Sequence, residues 1–599
     1  MIKEQIKDGY LNSVTLYRDL EKKAEKMLLI ISALRLIIFI GGIIFIAIGF
    51  TKSIIAGFAL LLVFIVLFLY HLKLFLKFSE KKDFYSNLAQ INQNEAEAIS
   101  GNLSAFNPGN SYTDIRHDFS FDVDLFGPSS LFQYLNRTVT GYGRDILANW
   151  LSDPYRLSIE LEQRQTAVME LALKDHWRQE FMASGMKTPL EKVDITGLLD
   201  WLEEKTLISS SSMTKFLLIF LPLVAMVSLL LWVTGIISYS LFVIIFLCNL
   251  FYIASGLKRT NGIHRVLSRK YNFLSSMNGL LSAFENESFN SSRLNEIKEN
   301  IAGKGSSASV SVKKLGSLIQ AFDSRNNIMV AFVLNGLFLW DYQSINRLER
   351  WKSVYRNSFA IWLEMIGQVD AFISLGNYAF NNPGFAYPVI SSEGIVFSAK
   401  NLGHQLIEEN KRVCNTFSIG KKGTVCIISG ANMAGKSTFL RTVAVNYILG
   451  MAGAPVCADE MFFLPSKIFT SMRTVDSLSD NESYFYAELK RLSFLKKMIE
   501  NGEPVFFILD EILKGTNSED KSTGSKLFLQ RIIENHATGL IATHDTSLGK
   551  LKSVYPSVIN KCFEIEIQGD KIIFDYKLQD GVTQKMNAVF LMKQMGILD

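Results

Sequence analysis

TVCIISGANMAGKST, residues 424–438, begins as a short apolar run rich in β-branched side chains and breaks into a loop bounded by two glycines. Such a run ahead of a glycine reads as a buried strand. Gly430 to Ser437 then fits G-x-x-x-x-G-K-[ST], the loop whose backbone N–H groups wrap phosphates. In that pattern Lys436 reaches the β- and γ-phosphates of ATP and the Ser437 hydroxyl ligates Mg²⁺. The residues that follow, to about Leu449, predict a helix whose N-terminal dipole is aimed at the same anion. Gly430, Gly435, Lys436, Ser437 and Thr438 are thus the expected cradle for ATP.

Working outward, PVFFILDE gives a second buried strand that ends in Asp510 and Glu511, with Asp510 seventy-four residues beyond Lys436. A carboxylate pair so placed suits one group for Mg²⁺, Asp510, and one to polarise the attacking water, Glu511. Thirty-four residues further, GLIATHD sets His544 just after a third apolar run. A histidine there either senses the γ-phosphate or is a hydrogen-bonded strand end, and its order after the first two motifs favours the sensor. Between these motifs, SLSDNESYFYAELKRLSFLKKM carries Asn481 as a helix cap with Glu482 and Ser483 in the first turn. A helix N-terminus plus a hydroxyl makes an anion site, here better placed for a partner's nucleotide than its own. An ordinary capped surface helix fits those residues equally well.

The composition has one peculiarity. Of 599 residues, 48% are hydrophobic and 20% charged, Phe occurs 44 times and Pro only 11, and mean hydropathy is +0.18. That length and apolar content exclude a disordered, collagen-like or disulfide-framework chain. Net charge is +5, too small to demand nucleic acid or forbid it. Five scattered cysteines make no zinc pattern and suit a reducing compartment. The apolar excess lies in two places. Met27–Phe50 and Ile54–Leu72 form one pair of runs, Phe216–Gly235 and Tyr239–Ser255 another, each approaching the ~20 residues that span a bilayer. Tight polar breaks make both pairs helical hairpins.

Lysine and arginine sort the topology. Lys22, Lys23 and Lys26 precede the first hairpin and Lys73, Lys77, Lys81 and Lys82 follow it. Lys205 and Lys215 precede the second, with Lys258, Arg259, Arg265, Arg269 and Lys270 behind it, whereas the connecting turns hold only Lys52. The positive-inside rule puts both termini and the polar bulk in the cytoplasm, a multi-pass protein of the cytoplasmic membrane without a secretory signal. Arg35, near the cytoplasmic end of its run, is expected to snorkel. Ile328–Trp340 is apolar but too short to span, and reads as core or as an interfacial helix. Asp114 to about Lys205 predicts soluble helices with stops at Pro128 and Pro154, and Arg259–Phe380 more helix, with Gly303–Lys314 (GKGSSASVSVKK) as a loop or linker. From about Gly394, short β-branched runs alternate with helices, the mark of a parallel α/β sheet.

GANMAGKSTFLRTVAV resembles the corresponding loop and helix of the MutS family of DNA mismatch-repair ATPases. IFTSMRTVDSLSDNESYFYAELKRL resembles that family's signature region, LDEILKGTNSED its Walker B segment and IATHD its histidine switch. FDYKLQDGVTQKMNAVFLMKQMGI resembles the segment closing its ATPase domain, and NLGHQLI (Asn401–Ile407) the approach to it. SLFQYLNRTVTGYGRDILANWLSDPYR and IELEQRQTAVMEL are similar to its helical core. The resemblance implies ATP hydrolysis by Lys436, Ser437, Asp510 and Glu511, Asn432 in the nucleotide cradle, His544 reading the γ-phosphate and Ser483 completing the site in trans across a homodimer. It also implies DNA as a partner. One departure is plain: the first 110 residues hold a membrane hairpin where mismatch-binding members carry a domain with a Phe-x-Glu wedge, so a chain lacking that domain is expected. Another is Met586-Asn587-Ala588, in place of a serine-tyrosine-glycine common among relatives.

The expected architecture is therefore mixed: a C-terminal α/β P-loop NTPase domain of ABC-like type, an all-α core and lever region, and two transmembrane hairpins. Its divisions are an N-terminal helix (1–26), hairpin (27–75), linker or helix (76–113), helical core (114–205), second hairpin (206–258), levers (259–393) and ATPase domain (394–599). The leading expectation is a membrane-anchored ATPase whose dimer gates binding of mismatched, branched or recombining DNA. An ATP-driven membrane switch acting on a protein partner without DNA is the alternative. A transporter is third, because the spans carry no charged route and the signature region lacks LSGGQ.

Overall fold

The computed structural model describes residues 2–186, 195–205, 212–268, 270–302, 307–391, 394–473, 484–568 and 571–584. Two helices, Ile2–Lys52 and Ile54–Ile99, lie antiparallel and are longer than the apolar runs that predict them. The expected N-terminal helix, hairpin and following linker are thus one unit as far as Ile99. The chain reverses at Ser53, which is extended (φ −164°, ψ 152°) and caps the second helix by accepting from the Ala56 N–H. Close approach at the turn needs small residues: a Cβ on Gly49 would lie 3.2 Å from the Gly57 Cα. Both helices are long and apolar enough to cross a membrane. Their apolar stretches face outward, Ile55 being 83% exposed, while the polar ends dock on the helical core, where the Tyr10 hydroxyl donates to Asn381 Oδ1 at 2.9 Å. The Arg35 guanidinium lies over the Phe75 ring, 4.7 Å from its centroid, a cation–π contact within the hairpin.

A 42-residue helix, Trp340–Asn381, is the axis of the core. Its length and hydropathy would suit a membrane, but its apolar window is buried in protein. Gly141–Ser152 and Ser158–Ala172 pack along it. The buried Asp370 carboxylate on the axis accepts from the Thr140 N–H at 2.8 Å and the Thr140 hydroxyl at 2.6 Å, fixing the start of Gly141–Ser152. That helix ends just before Asp153-Pro154, as expected, but residues 113–130 are loop and turn, so no helix stops at Pro128. Of the glycine- and serine-rich residues 303–314, those at 303–306 lie outside the described residues and those from 308 onward are not loop. Ser307 caps a helix, Ala308–Asp323, that buries Val312, Leu315 and Ile319, so apolar periodicity prevails over serine content from residue 308 onward.

The second apolar pair forms Ser212–Val233 and Tyr239–Ser255, the latter bending by 66° into Leu257–Leu267. Ile328–Phe338 is not core. It packs on both helices of the pair, with the Asn249 amide donating to the Gly336 carbonyl at 2.8 Å, and turns an apolar face outward, Ile328 being 84% exposed.

The C-terminal part holds a six-stranded sheet ordered Leu578–Asp580, Val558–Phe563, Val425–Gly430, Thr538–Thr543, Val505–Asp510, Lys467–Ser471. Every neighbouring pair is parallel except the first, which is antiparallel. A four-stranded sheet of Val389–Ile390, Glu460–Phe463, Phe397–Leu402 and Asn415–Ile419 packs against helix Lys436–Met451, joined through Phe397, Phe417, Phe439 and Tyr447. The core reaches this part through Asp118–Asp124. The Thr470 N–H donates to the Asp118 carbonyl at 2.9 Å, Arg473 pairs with Asp124, and Arg441 lies 3.3 Å from the same carboxylate.

Candidate functional site

Val425–Gly430 is buried along its whole length between two parallel neighbours, so its C-terminal end is fixed from both sides. Ligands in open α/β sheets bind at such carboxyl ends. The chain leaves the strand through Ala431–Gly435 and enters helix Lys436–Met451. Gly435 has φ +100°, and a Cβ on it would meet the Tyr576 ring at 3.0 Å, so only glycine fits both the turn and the approach.

The predicted residues converge on one cavity of about 550 Å³. Asn432, Gly435, Lys436, Ser437, Thr438, Asp510, Glu511 and His544 all line it, and Gly430 ends the strand beneath. The Lys436 ammonium donates to the Gly430 and Ala431 carbonyls, each at 2.8 Å. Burial pushes its pKa down to about 8 against the opposing pull of Asp510 and Glu511. The Ser437 hydroxyl donates to Asp510 Oδ2 at 2.5 Å, so two hard oxygen donors meet where the strand and the loop converge. That donor set fits Mg²⁺, which is commonly held by one or two protein oxygens together with substrate phosphates and water.

Glu511 follows with φ +54°, its N–H donating to the Ala542 carbonyl at 2.9 Å. Its carboxylate receives the Lys521 ammonium at 2.6 Å, and His544 Nε2 lies 3.5 Å from the other oxygen. Burial opposes its charge, but the Lys521 hydrogen bond, with the charges of His544, Lys521 and Lys514, holds the carboxyl below its ordinary value. His544 Nδ1 is 2.9 Å from the Gly430 carbonyl and 3.3 Å from Lys436 Nζ. Desolvation, then the Lys436 charge, lowers its pKa, and the ring bridges the loop and Glu511.

Several contributors escape sequence reasoning. Glu488, buried on helix Tyr484–Glu500, accepts from the N–H groups of Leu513 (2.6 Å) and Lys514 (3.1 Å), pinning the segment just after Glu511. The heptapeptide YFYAELK contains it, but nothing in the spacing points a glutamate at a later loop. Lys521 stands in the first turn of Ser518–Glu534, ten residues beyond Glu511, with no motif to mark it. Ile407, Val413 and Tyr576 supply an apolar wall of the cavity. Asn481, Glu482, Ser483 and Met586–Ala588 lie outside the described residues. No group of three or more His, Cys, Asp or Glu able to hold a metal occurs among the described residues.

Residues 117–376 match the family described as MutS domain III, and residues 426–597 that described as MutS domain V. Curated relatives agree. The chain is 28% identical over 244 residues to the DNA mismatch repair protein MutS of Thermotoga petrophila, covering 39% of this chain and 30% of that protein. It is 30% identical over 194 residues to MutS protein homolog 4 of Mus musculus (31% and 20%), and 30% over 241 residues to the DNA mismatch repair protein MutS of Finegoldia magna (39% and 28%). The chain thus spans less than a third of the length of each of these relatives.

Proposed function

Because this chain belongs to the MutS family through its domains III and V, we propose that it is a membrane-anchored ATPase whose nucleotide state gates the binding of DNA. The observation that carries the reading is the convergence of Lys436, Ser437, Asp510, Glu511 and His544 on one cavity at the end of the central strand. Backbone N–H groups of residues 431–436 and the helix N-terminus receive the phosphates of ATP, and Lys436 exchanges its two carbonyls for phosphate oxygens. Ser437 and Asp510 hold Mg²⁺, which when bound neutralises the charge on the β- and γ-phosphates. Glu511 orients the attacking water and accepts its hydrogen bond. His544, held against the Gly430 carbonyl, is placed to feel the γ-phosphate and to relay its presence to Glu511. Tyr576, Ile407 and Val413 face the base.

Two ATPase domains closing on shared nucleotides, with Ser483 reaching a partner's site, would turn ATP binding into clamp closure. The route out of the site runs through Arg441 on the loop's helix and Arg473 to Asp124, at the foot of the helical core. The DNA substrate is mismatched, branched or recombining duplex, the first of these being what the name of the DNA mismatch repair relatives points to. Membrane anchoring rests on the outward apolar faces of Ile2–Lys52, Ile54–Ile99 and Ser212–Val233, with lysine and arginine placing the ATPase domain in the cytoplasm.

The test is nucleotide-dependent DNA capture by the full chain reconstituted in vesicles. Flotation with labelled branched, mismatched and homoduplex DNA is compared with and without a non-hydrolysable ATP analogue. Retention that changes with nucleotide, and that Lys436→Ala abolishes, is expected. Protein that does not float removes the anchor, and DNA that never floats with it removes the clamp.

A further inference from the structure

Residues 326–340 leave the helical core and return to it at one place. Arg325, just before them, pairs at 3.0 Å with the buried Asp341 just after them. Beside that pair the Trp340 indole donates to the Ala321 carbonyl at 3.1 Å. Entry and exit are thus pinned together, and helix Ile328–Phe338 projects beyond them. Arg325 also donates to Asn261 Oδ1 at 2.9 Å, so the segment departs at the level of Leu257–Leu267, the helix that follows the 66° bend. That helix exposes Lys258, Arg259 and Arg265, the residue types that meet anionic headgroups at a cytoplasmic membrane face.

The contacts of the projecting helix advance in step with Tyr239–Ser255. The Phe332 ring lies 5.1 Å from that of Phe246, the Gly336 carbonyl accepts from Asn249, and Tyr342, past the exit, donates to the Tyr252 carbonyl at 3.3 Å. The two helices therefore run the same way, and Ile328 is the end farthest from the bend. Gly336 permits the approach, because a Cβ there would clash with the Phe246 ring. Polar groups of the segment are satisfied within it. Asn335, buried, accepts from the Asp341 N–H at 2.9 Å. The Asn327 side chain accepts from the N–H groups of Met329 and Val330 at 3.1 and 3.2 Å. The outward face is apolar: Ile328, Met329, Phe332 and Val333 are exposed, as are Leu223 and Leu247 on the two helices it packs against.

We propose that Ile328–Phe338 is a re-entrant element that dips into the cytoplasmic leaflet and returns, its outward face covered by lipid acyl chains. Eleven helical residues rise about 16 Å, roughly half of the ~30 Å hydrocarbon core, so one leaflet is within reach and crossing is not. Backbone at that depth must find its partners inside the protein, which the Asn327 cap provides for the first turn. The proposal rests on the membrane reading of Ser212–Val233 and Tyr239–Ser255. It adds a direct tie between bilayer and core. The re-entrant helix passes through one buried left-handed residue, Leu339 (φ +51°), into the axial helix Trp340–Asn381, so the axis is fastened in lipid at one end.

The experiment places single cysteines in the full chain, with Cys248→Ser and Cys414→Ser removing the accessible thiols. Each is labelled with an NBD fluorophore and reconstituted in phosphatidylcholine–phosphatidylglycerol vesicles. Ile328→Cys reports the re-entrant tip, Leu223→Cys the Ser212–Val233 span, and Leu173→Cys an exposed position of the helical core. Quenching is read with spin-labelled acyl chains and with aqueous iodide. The label at 328 is expected to be quenched by the lipid probe as the label at 223 is, and by iodide at least fivefold less than the label at 173. Lipid quenching at 223 with iodide quenching at 328 equal to that at 173 overturns the re-entrant element and leaves the span standing. Protection at 328 from both quenchers also overturns it, because protein, such as a second copy of the chain, then covers the face. A label at 223 that escapes lipid quenching removes the membrane reading itself, and this proposal with it.

Discussion

Glu511 is held in a left-handed conformation by its N–H bond to Ala542 and by Lys521 and His544 on its carboxylate. Its carboxyl therefore ionises at lower pH than an ordinary glutamate, and the acid limb of ATP turnover lies correspondingly low. Lys521→Met removes the principal cause of that lowering, so the folded pKa rises and the acid limb moves to higher pH. A pH–rate profile that does not move would assign Lys521 no part in setting Glu511. His404, in the wall of the same cavity, has its pKa pushed down to about 4 by burial and then by Arg441 and Arg412. The unfolded chain takes up a proton near pH 6.5 that the folded chain refuses until about pH 4, so stability falls as pH drops through that window, by at most about 3 kcal/mol. His404→Gln flattens that slope, measured as Tm against pH between 6.5 and 4. Lys436, Ser437, Asp510 and Glu511 were legible because phosphate chemistry fixes their spacing along the chain. Lys521, Glu488 and His404 were not, because their roles come from tertiary approach, which spacing does not encode.

At the scale of elements, helix Tyr484–Glu500 reaches across to the segment that follows Glu511. Through Glu488 it grips Leu513 and Lys514, and Leu513 itself has φ +62°, so the turn after Glu511 depends on that grip. Glu488→Ala frees two buried N–H groups and lets Glu511 drift. The expected outcome is a fall in kcat of about tenfold or more with KM for ATP changed less than twofold, since the phosphate loop is untouched. Steady-state kinetics separate the two. Sequence patterns placed the parallel strands and the two hairpins because buried strands and membrane-length helices both announce themselves as apolar runs. They misjudged Ala308–Asp323, where serines conceal an apolar stripe, and left Ile328–Phe338 between core and interface, because its neighbours Ser212–Val233 and Tyr239–Ser255 lie outside its local sequence. Trp340–Asn381 shows the converse: its length and hydropathy would suit a membrane, yet its apolar window is buried among the core helices.

Taken whole, the molecule joins outward-facing apolar hairpins to a helical core and a parallel-sheet engine, and the apolar excess of its composition is largely those hairpins. The hairpin's polar ends contact the core at Asn381, and the core contacts the engine at Thr470, Arg473 and Arg441. A change at Ser437 thus has a continuous packed path towards the outward-facing apolar helices. The most direct measurement is ATP turnover of the full chain in vesicles with no DNA and with homoduplex, mismatched and branched DNA, beside Glu511→Gln. The account predicts that at least one DNA class changes the rate severalfold and that Glu511→Gln lowers turnover at least a hundredfold while still binding ATP. A rate indifferent to every DNA, or turnover that survives Glu511→Gln, would contradict it.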